Sequence, residues 1–179
     1  FLEAILTVQR AVSARSSSPL LEGILIETQK DVLKLLGTNL DLGIESYIEA
    51  NIIEEGSIVI PARLLSEIVR KLPDAEVKVV LKSNNAVELN CLNSLVTLQG
   101  FAADEFPRLP DISENKPVEI NRIVLGNIIR QTIFAVAVDE ARPILTGGLL
   151  EVEDDNAVLV ALDGYRLALR RAKLESVHE

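Results

Sequence analysis

Tryptophan and methionine are absent from the 179 residues, histidine and cysteine occur once each, and aromatic residues make up only 3%. With so few rings, a core has to be assembled from Leu, Ile, Val and Ala, which the 48% hydrophobic content supplies. One cysteine excludes an internal disulfide framework and a multi-cysteine zinc site, and fits a reducing compartment. The lone histidine, His178, stands next to the last residue. It leaves no base for a Ser-His-Asp or Cys-His arrangement and no histidine set for a metal. Gly-x-x-x-x-Gly-Lys-Ser/Thr and Gly-x-Gly-x-x-Gly are both missing, so neither phosphate-cradling loop is there. No apolar run reaches membrane-spanning length, and no basic segment leads into an apolar stretch with a small-residue cleavage site. A soluble cytoplasmic protein with no membrane partner is the expectation. Phe1 opens the chain inside an apparent helix and not even an initiator Met is present. Both features point to an incomplete sequence, a fragment or one from which modified methionines have dropped.

What is there begins with charge. The net charge is −9 and the pI about 4.7, which argues against a strong non-specific nucleic-acid binder as far as the total goes. Distribution can override the total. The chain also repeats itself: Pro19 to Glu27 matches Pro143 to Glu151, and Leu36 to Leu40 matches Val160 to Gly164, at one offset of 124 residues (143 − 19, 160 − 36). A period of that length is too long for a solenoid and implies a duplicated domain. Length and hydrophobic content fit one complete copy and about half of another.

Periodicity predicts a helix over residues 2–12 with Leu2, Ile5, Leu6, Gln9 and Val12 on one stripe. A Ser-rich loop over 13–19 follows and carries Arg15, which taken alone reads as a solvated loop charge. Strands are predicted over 23–27, 32–36 and 40–49, an antiparallel meander, and a further short one over 56–60. Pro61 then opens a second helix over 62–72, with Leu64, Leu65, Ile68, Val69 and Leu72 inward and Arg63, Glu67, Arg70 and Lys71 outward. Arg70 and Lys71 also suit the negative end of the helix dipole. Three more strands, 77–81, 86–91 and 95–101, place Cys91 on an apolar face as a packed thiol. Prolines gather from Pro107 to Pro117, where a domain boundary is expected. Beyond it come a strand over 118–120, a helix over 123–138, an exit at Arg142-Pro143, and a last strand over 165–174.

Two acidic clusters invite chemistry. Glu153 to Asn156 sits between two strands where a polar hairpin is required, which explains it without a metal. Asp139 and Glu140 end a helix with no partner for acid–base work. The residues alone therefore give a duplicated α+β protein without visible catalytic machinery.

Ala141 to Leu149 together with Leu162-Asp163-Gly164-Tyr165-Arg166-Leu167 resemble the second domain of the bacterial β sliding clamp family, the processivity subunit of DNA polymerase III. Ile60-Pro61-Ala62-Arg63, Lys71-Leu72-Pro73, Gly37 to Asp41 and Phe106-Pro107-x-Leu109-Pro110 resemble its first domain. The resemblance runs in order along nearly the whole chain. It implies the DNA-clamp (processivity) fold, with antiparallel sheets outside and amphipathic helices lining the inner face of a head-to-tail homodimeric ring. On that basis residues 1–117 are the first domain without its first strand, 118–179 are the first half of the second, and the third is absent.

The resemblance also implies function. Such a ring holds duplex DNA by topology and tethers the polymerase. It implies DNA contacts from Arg10, Arg15, Arg63, Arg70, Lys71, Arg122 and Arg130, of which Arg15 best matches a DNA-contacting position. Asp139 stands where the family can carry an amide. A pocket for short peptides of DNA polymerase III and other polymerases, the clamp loader and repair proteins would use Leu145, Leu162, Gly164, Tyr165, Arg166 and Leu167. Any one of these alone reads as strand or hairpin packing, and Leu162 stands where the family can carry Thr. Val96 and Leu98 match dimer-interface positions and could equally be core. No catalysis and no cofactor are implied. An α+β enzyme with its catalytic residues in a missing half and a stand-alone DNA-binding module remain the other readings.

Overall fold

A computed structural model describes residues 1–13, 16, 18–110, 118–139 and 141–174. The chain forms two compact units, Phe1–Pro110 and Asp111–Glu179. The boundary expected near Pro117 lies outside the described residues, as do Arg15, Glu140 and His178.

In the first unit, α1 (Leu2–Val8) continues into a 3-10 turn over Gln9–Ala11. Its buried face is Ala4, Ile5, Val8 and Ala11, so of the predicted stripe only Ile5 is fully inside. The stripe counted large apolar residues, whereas the small alanines let the helix backbone come close to the sheet. At Gly37, on the facing strand, an added Cβ would lie 2.4 Å from the Val8 carbonyl oxygen. Leu2 and Val12 pack at the margin of the core.

That sheet is antiparallel: β1 (Gly23–Gln29), β2 (Val32–Thr38), β3 (Gly43–Glu49) and β4 (Ser57–Pro61) in the order β3-β2-β1-β4. β3 begins at Gly43 rather than the expected Leu40, because a turn takes up the residues between. Asn39 Oδ1 accepts the amides of Asp41 and Leu42 at 3.1 and 2.8 Å, and Leu40 adopts φ 80°. Asn side chains favour this kind of local bonding over a ladder. Strand alternation sends Ile24, Ile26, Leu33, Leu35, Ile58 and Ile60 to the main core. Leu36 and Val59 face the other way, onto Phe106. Lys34, Glu45 and Tyr47 share that outer side, with Lys34 Nζ 2.5 Å from Glu45 and the Tyr47 hydroxyl donating to Glu45 at 2.7 Å.

α2 (Ala62–Val69) starts directly after Pro61, whose missing N–H costs nothing at a helix start. It is shorter than the predicted 62–72. Beyond Val69 the amides of Lys71 and Leu72 reach only three residues back, to Ile68 and Val69, the tightening common at helix ends. Ala62, Leu65, Ser66 and Val69 are buried, and Leu64, predicted inside, is 43% exposed. The Ser66 hydroxyl is satisfied by the Arg63 carbonyl at 2.9 Å. A second antiparallel sheet, β5 (Lys78–Leu81), β6 (Ala86–Cys91) and β7 (Ser94–Gln99), adds Val87, Leu89 and Leu98 to the same core. Cys91 is fully buried, its thiol directed at the Pro73 carbonyl.

The second unit contains α3 (Arg122–Arg130), capped by Asn121, whose side chain accepts the Ile123 amide at 2.9 Å. The helix predicted to run to Val138 stops at Arg130, and a 3-10 turn over Ile133–Ala135 follows. Val118 to Ile120, predicted as a strand, has no ladder partner among the described residues. Alternation cannot supply one. β8 (Leu149–Glu153), β9 (Asn156–Leu162) and β10 (Leu167–Lys173) form an antiparallel sheet ordered β10-β9-β8. The Glu153 to Asn156 run is the β8–β9 hairpin, with Asp154 at φ 49°. Ile128, Ala157 and Leu159 centre a small core.

The duplication is visible element by element. β2 and β9, β3 and β10, and the 3-10 turns Pro19–Glu22 and Pro143–Thr146 each start 124 residues apart (156 − 32, 167 − 43, 143 − 19). Two elements depart from the offset: α3 starts four residues earlier than it places the helix (126 − 122), and β8 two residues later than it places the strand (149 − 147). Among the described residues no helix is long and apolar enough to cross a membrane.

Candidate functional site

The connection from β9 to β10 is built around one carboxylate. Asp163 Oδ1 accepts the amides of Tyr165 and Arg166, each at 2.9 Å, and Oδ2 accepts from Arg166 Nε at 2.9 Å. The amides of Arg166 and Tyr165, then the Arg166 guanidinium, hold the Asp163 carboxyl below the usual carboxylate range. Gly164 closes the turn at φ +96°, a region that side-chain-bearing residues avoid. Space is not what demands glycine there, since an added Cβ would meet only the Arg142 guanidinium, at an ordinary 3.5 Å.

The fixed turn throws Tyr165 outward, 98% exposed, and leaves Leu167 63% exposed. Leu162 and Leu145 are half-buried. Leu145 lies in the 3-10 turn Pro143–Thr146, where its amide donates to the Arg142 carbonyl at 3.0 Å and its carbonyl accepts from Ala137 at 2.8 Å. The Arg142 guanidinium lies beside Gly164, and Arg142 immediately precedes the turn that bears Leu145. Arg142 and Gly164 are 22 residues apart in the chain (164 − 142), so no motif spacing brings them together.

Because the Asp163 pKa is depressed in the fold, the stabilisation from its charge is present above the ordinary Asp value of about 4 and is lost as pH falls through the lower folded value. At neutral pH the turn is fully held. Asp163→Ala is expected to speed amide hydrogen exchange at Tyr165 and Arg166 on the order of tenfold, the scale of one lost hydrogen bond. NMR exchange rates measure this, and unchanged rates would mean the turn stands without the carboxylate.

The described basic candidates of the first unit lie on exposed surface. Arg10 lies in the turn after α1, Arg63 is on the outer side of α2, and Arg70 and Lys71 follow its end, α2 being the helix against which α1 packs. Arg63 Nε is bound to Glu67 Oε1 at 2.9 Å. That hydrogen bond and charge, with Lys71 and Arg70 beside it, hold the Glu67 carboxyl below its usual range. In the second unit Arg122 opens α3 and Arg130 closes it, both exposed, with Arg130 Nη2 donating to Asn127 at 2.6 Å. Asp139 accepts the Ala141 amide at 2.9 Å, which makes it a turn residue.

β7 ends its sheet, paired with β6 alone among the described residues. Leu98 on that strand is 4% exposed and part of the core, and Val96 packs against the same core. The strand turns Leu95, Thr97 and Gln99 outward, and Leu95 is the apolar one of the three.

Two family descriptions match in chain order: DNA polymerase III beta subunit, N-terminal domain, over residues 1–110, and DNA polymerase III beta subunit, central domain, over 119–179. The chain is 40% identical to the beta sliding clamp of Bacillus subtilis, covering 97% of this chain and 48% of that protein. It is 36% identical to that of Halalkalibacterium halodurans, covering 98% and 48%. Among solved structures, the Bacillus subtilis DNA polymerase sliding clamp superimposes with a TM-score of 0.92 at 41% identity, over 97% of this chain and 48% of that one. The Streptococcus pyogenes DNA polymerase beta subunit does so with 0.91 at 31% identity, over 100% and 49%. The chain spans about half the length of the curated relatives it matches.

Proposed function

As the chain belongs to the DNA polymerase III beta subunit family and shares its sliding-clamp fold, we propose that it works as a sliding clamp, a non-catalytic tether that keeps the replicative polymerase on duplex DNA. The observation that carries this reading is the succession of two units, the second repeating the opening helix, turns and three strands of the first, which match the N-terminal and central domains of that family in order. The relatives' shared name weighs against an enzyme whose catalytic residues lie elsewhere.

In this reading residues 1–117 and 118–179 are the first domain and the start of the second, and a third copy completes each subunit of a homodimeric ring in the cytoplasm. The exposed apolar residues of β8 and β10, Leu150, Val152 and Leu169 among them, are surface for the rest of a family-length chain to cover. DNA is held by topology, so its contacts with Arg10, Arg15, Arg63, Arg70, Lys71, Arg122 and Arg130 are weak, sequence-independent and salt-sensitive. The acidic total keeps other surfaces from binding DNA. The turn bearing Gly164, Tyr165 and Arg166, with Leu145, Leu162 and Leu167 as apolar wall, receives short peptides of DNA polymerase III and other polymerases, the clamp loader and repair proteins. The open edge of β7, with Val96 and Leu98 behind it, is the dimer contact.

Primer extension tests the reading. On a primed single-stranded circle, full-length protein with its loader and polymerase is expected to give full-circle products where polymerase alone gives short ones. Short products in both reactions would contradict it.

A further inference from the structure

The feature of α2 that the clamp reading leaves unused is Glu67. An acidic residue at its position works against the binding of phosphate by the three basic residues around it. Arg63 lies one helical turn before Glu67, and Arg70 and Lys71, in the turn that follows α2, are near enough for their charges to act on the Glu67 carboxyl. Arg63 Nε and Glu67 Oε1 are 2.9 Å apart, with the two side chains 88% and 53% exposed. Neither Arg70 nor Lys71 takes part in an ion pair among the described residues. One of the three cations is therefore already answered and two are not.

An exposed pair at this spacing adds little to helix stability, so its weight falls on whatever else seeks the guanidinium. We infer that Glu67 is a built-in counter-ion that competes with DNA phosphate for Arg63 and keeps the α2 contact weak enough for sliding. The inference rests on the clamp reading above. A phosphate reaching Arg63 must displace the carboxylate and then sit beside it. Each phosphate that basic side chains neutralise steepens the salt dependence of binding by about 0.9 in log–log slope. A cation held by its own carboxylate contributes less than that.

The test uses the full-length protein and a short linear duplex, with binding followed by fluorescence anisotropy across a salt series. Glu67→Gln keeps the side-chain length and removes the charge. It is expected to bind about two- to fivefold more tightly, the scale of one exposed ion pair, with a slope steeper by up to about one. In an Arg63→Ala background most of that gain should vanish. Unchanged or weaker binding by Glu67→Gln, or a gain that survives intact without Arg63, overturns the inference. So does a lower melting temperature with unchanged DNA affinity, which marks a purely structural pair. A triple variant, Arg63→Ala, Arg70→Ala and Lys71→Ala, separates the two levels. Wild-type affinity in the triple variant removes α2 from the DNA contact altogether. Weakened binding there, with no effect of Glu67→Gln, overturns the counter-ion alone.

Discussion

Gly37→Ala is expected to destabilise the first unit by about 2–3 kcal/mol, the cost of forcing one carbon into a closed interior. The added Cβ would lie 2.4 Å from the Val8 carbonyl oxygen, 3.1 Å from the Val8 carbonyl carbon and 2.9 Å from a Val12 methyl. Two of those atoms are backbone, so rotating a side chain cannot relieve the clash, and α1 has to lift from β2. For a unit of this size the melting temperature should fall by roughly 10 °C. The matching position in the second unit, 124 residues on, is Ala161, buried with its Cβ in place, so the close approach belongs to the first unit only. Gly126→Ala is the internal control. Nothing lies within 4 Å of a Cβ there, and the residue is inside α3. The same change should stabilise by about 0.5–1 kcal/mol through helix propensity. Denaturant or thermal unfolding of the two variants decides the matter: equal shifts of one sign would contradict the account of how α1 sits on its sheet.

Leu167→Ala is expected to weaken binding of a short docking peptide from the organism's own replicative polymerase by about thirtyfold, the scale of a hot-spot side chain. Leu167 follows the turn that Asp163 and Gly164 fix, and more than half of its surface is open in the chain itself. Truncation therefore removes little folded-state packing, and the melting temperature should move by less than about 2 °C. Calorimetric titration of the full-length variant measures the loss. Wild-type affinity would remove Leu167 from the docking wall, and a large fall in melting temperature would recast it as a structural residue.

Much of this was legible in the residues. Strand positions followed from β-branched alternation and turn signals, and the 124-residue offset announced two units before any helix was placed. What the sequence concealed has specific causes. The buried face of α1 runs through Ala4, Val8 and Ala11, and small residues signal close approach only once the facing Gly37 is known. Leu64 reads as core by hydrophobicity but lies on the outer side of α2 beside Arg63. β3 lost its first residues to the Asn39 turn, since a polar side chain that caps backbone amides competes with the ladder. At the candidate site, Gly164, Tyr165 and Arg166 were legible as a motif, but the part of Asp163 in holding them, and the placing of Arg142 beside Gly164, depend on distances that no spacing reveals. The four-residue interval signals the pairing of Arg63 with Glu67, but that Arg70 and Lys71 take no ion pair among the described residues is a matter of distances.

In the proposed reading DNA is held by a closed ring and not by surface affinity. Loading the full-length protein onto a nicked circular duplex and then cutting the circle separates the two. Protein co-migrating with the circle in gel filtration at moderate salt is expected to be released once the DNA is linear, because the ring slides off the ends. Equal retention before and after cutting would mean that ordinary contacts hold the DNA, and would contradict that reading.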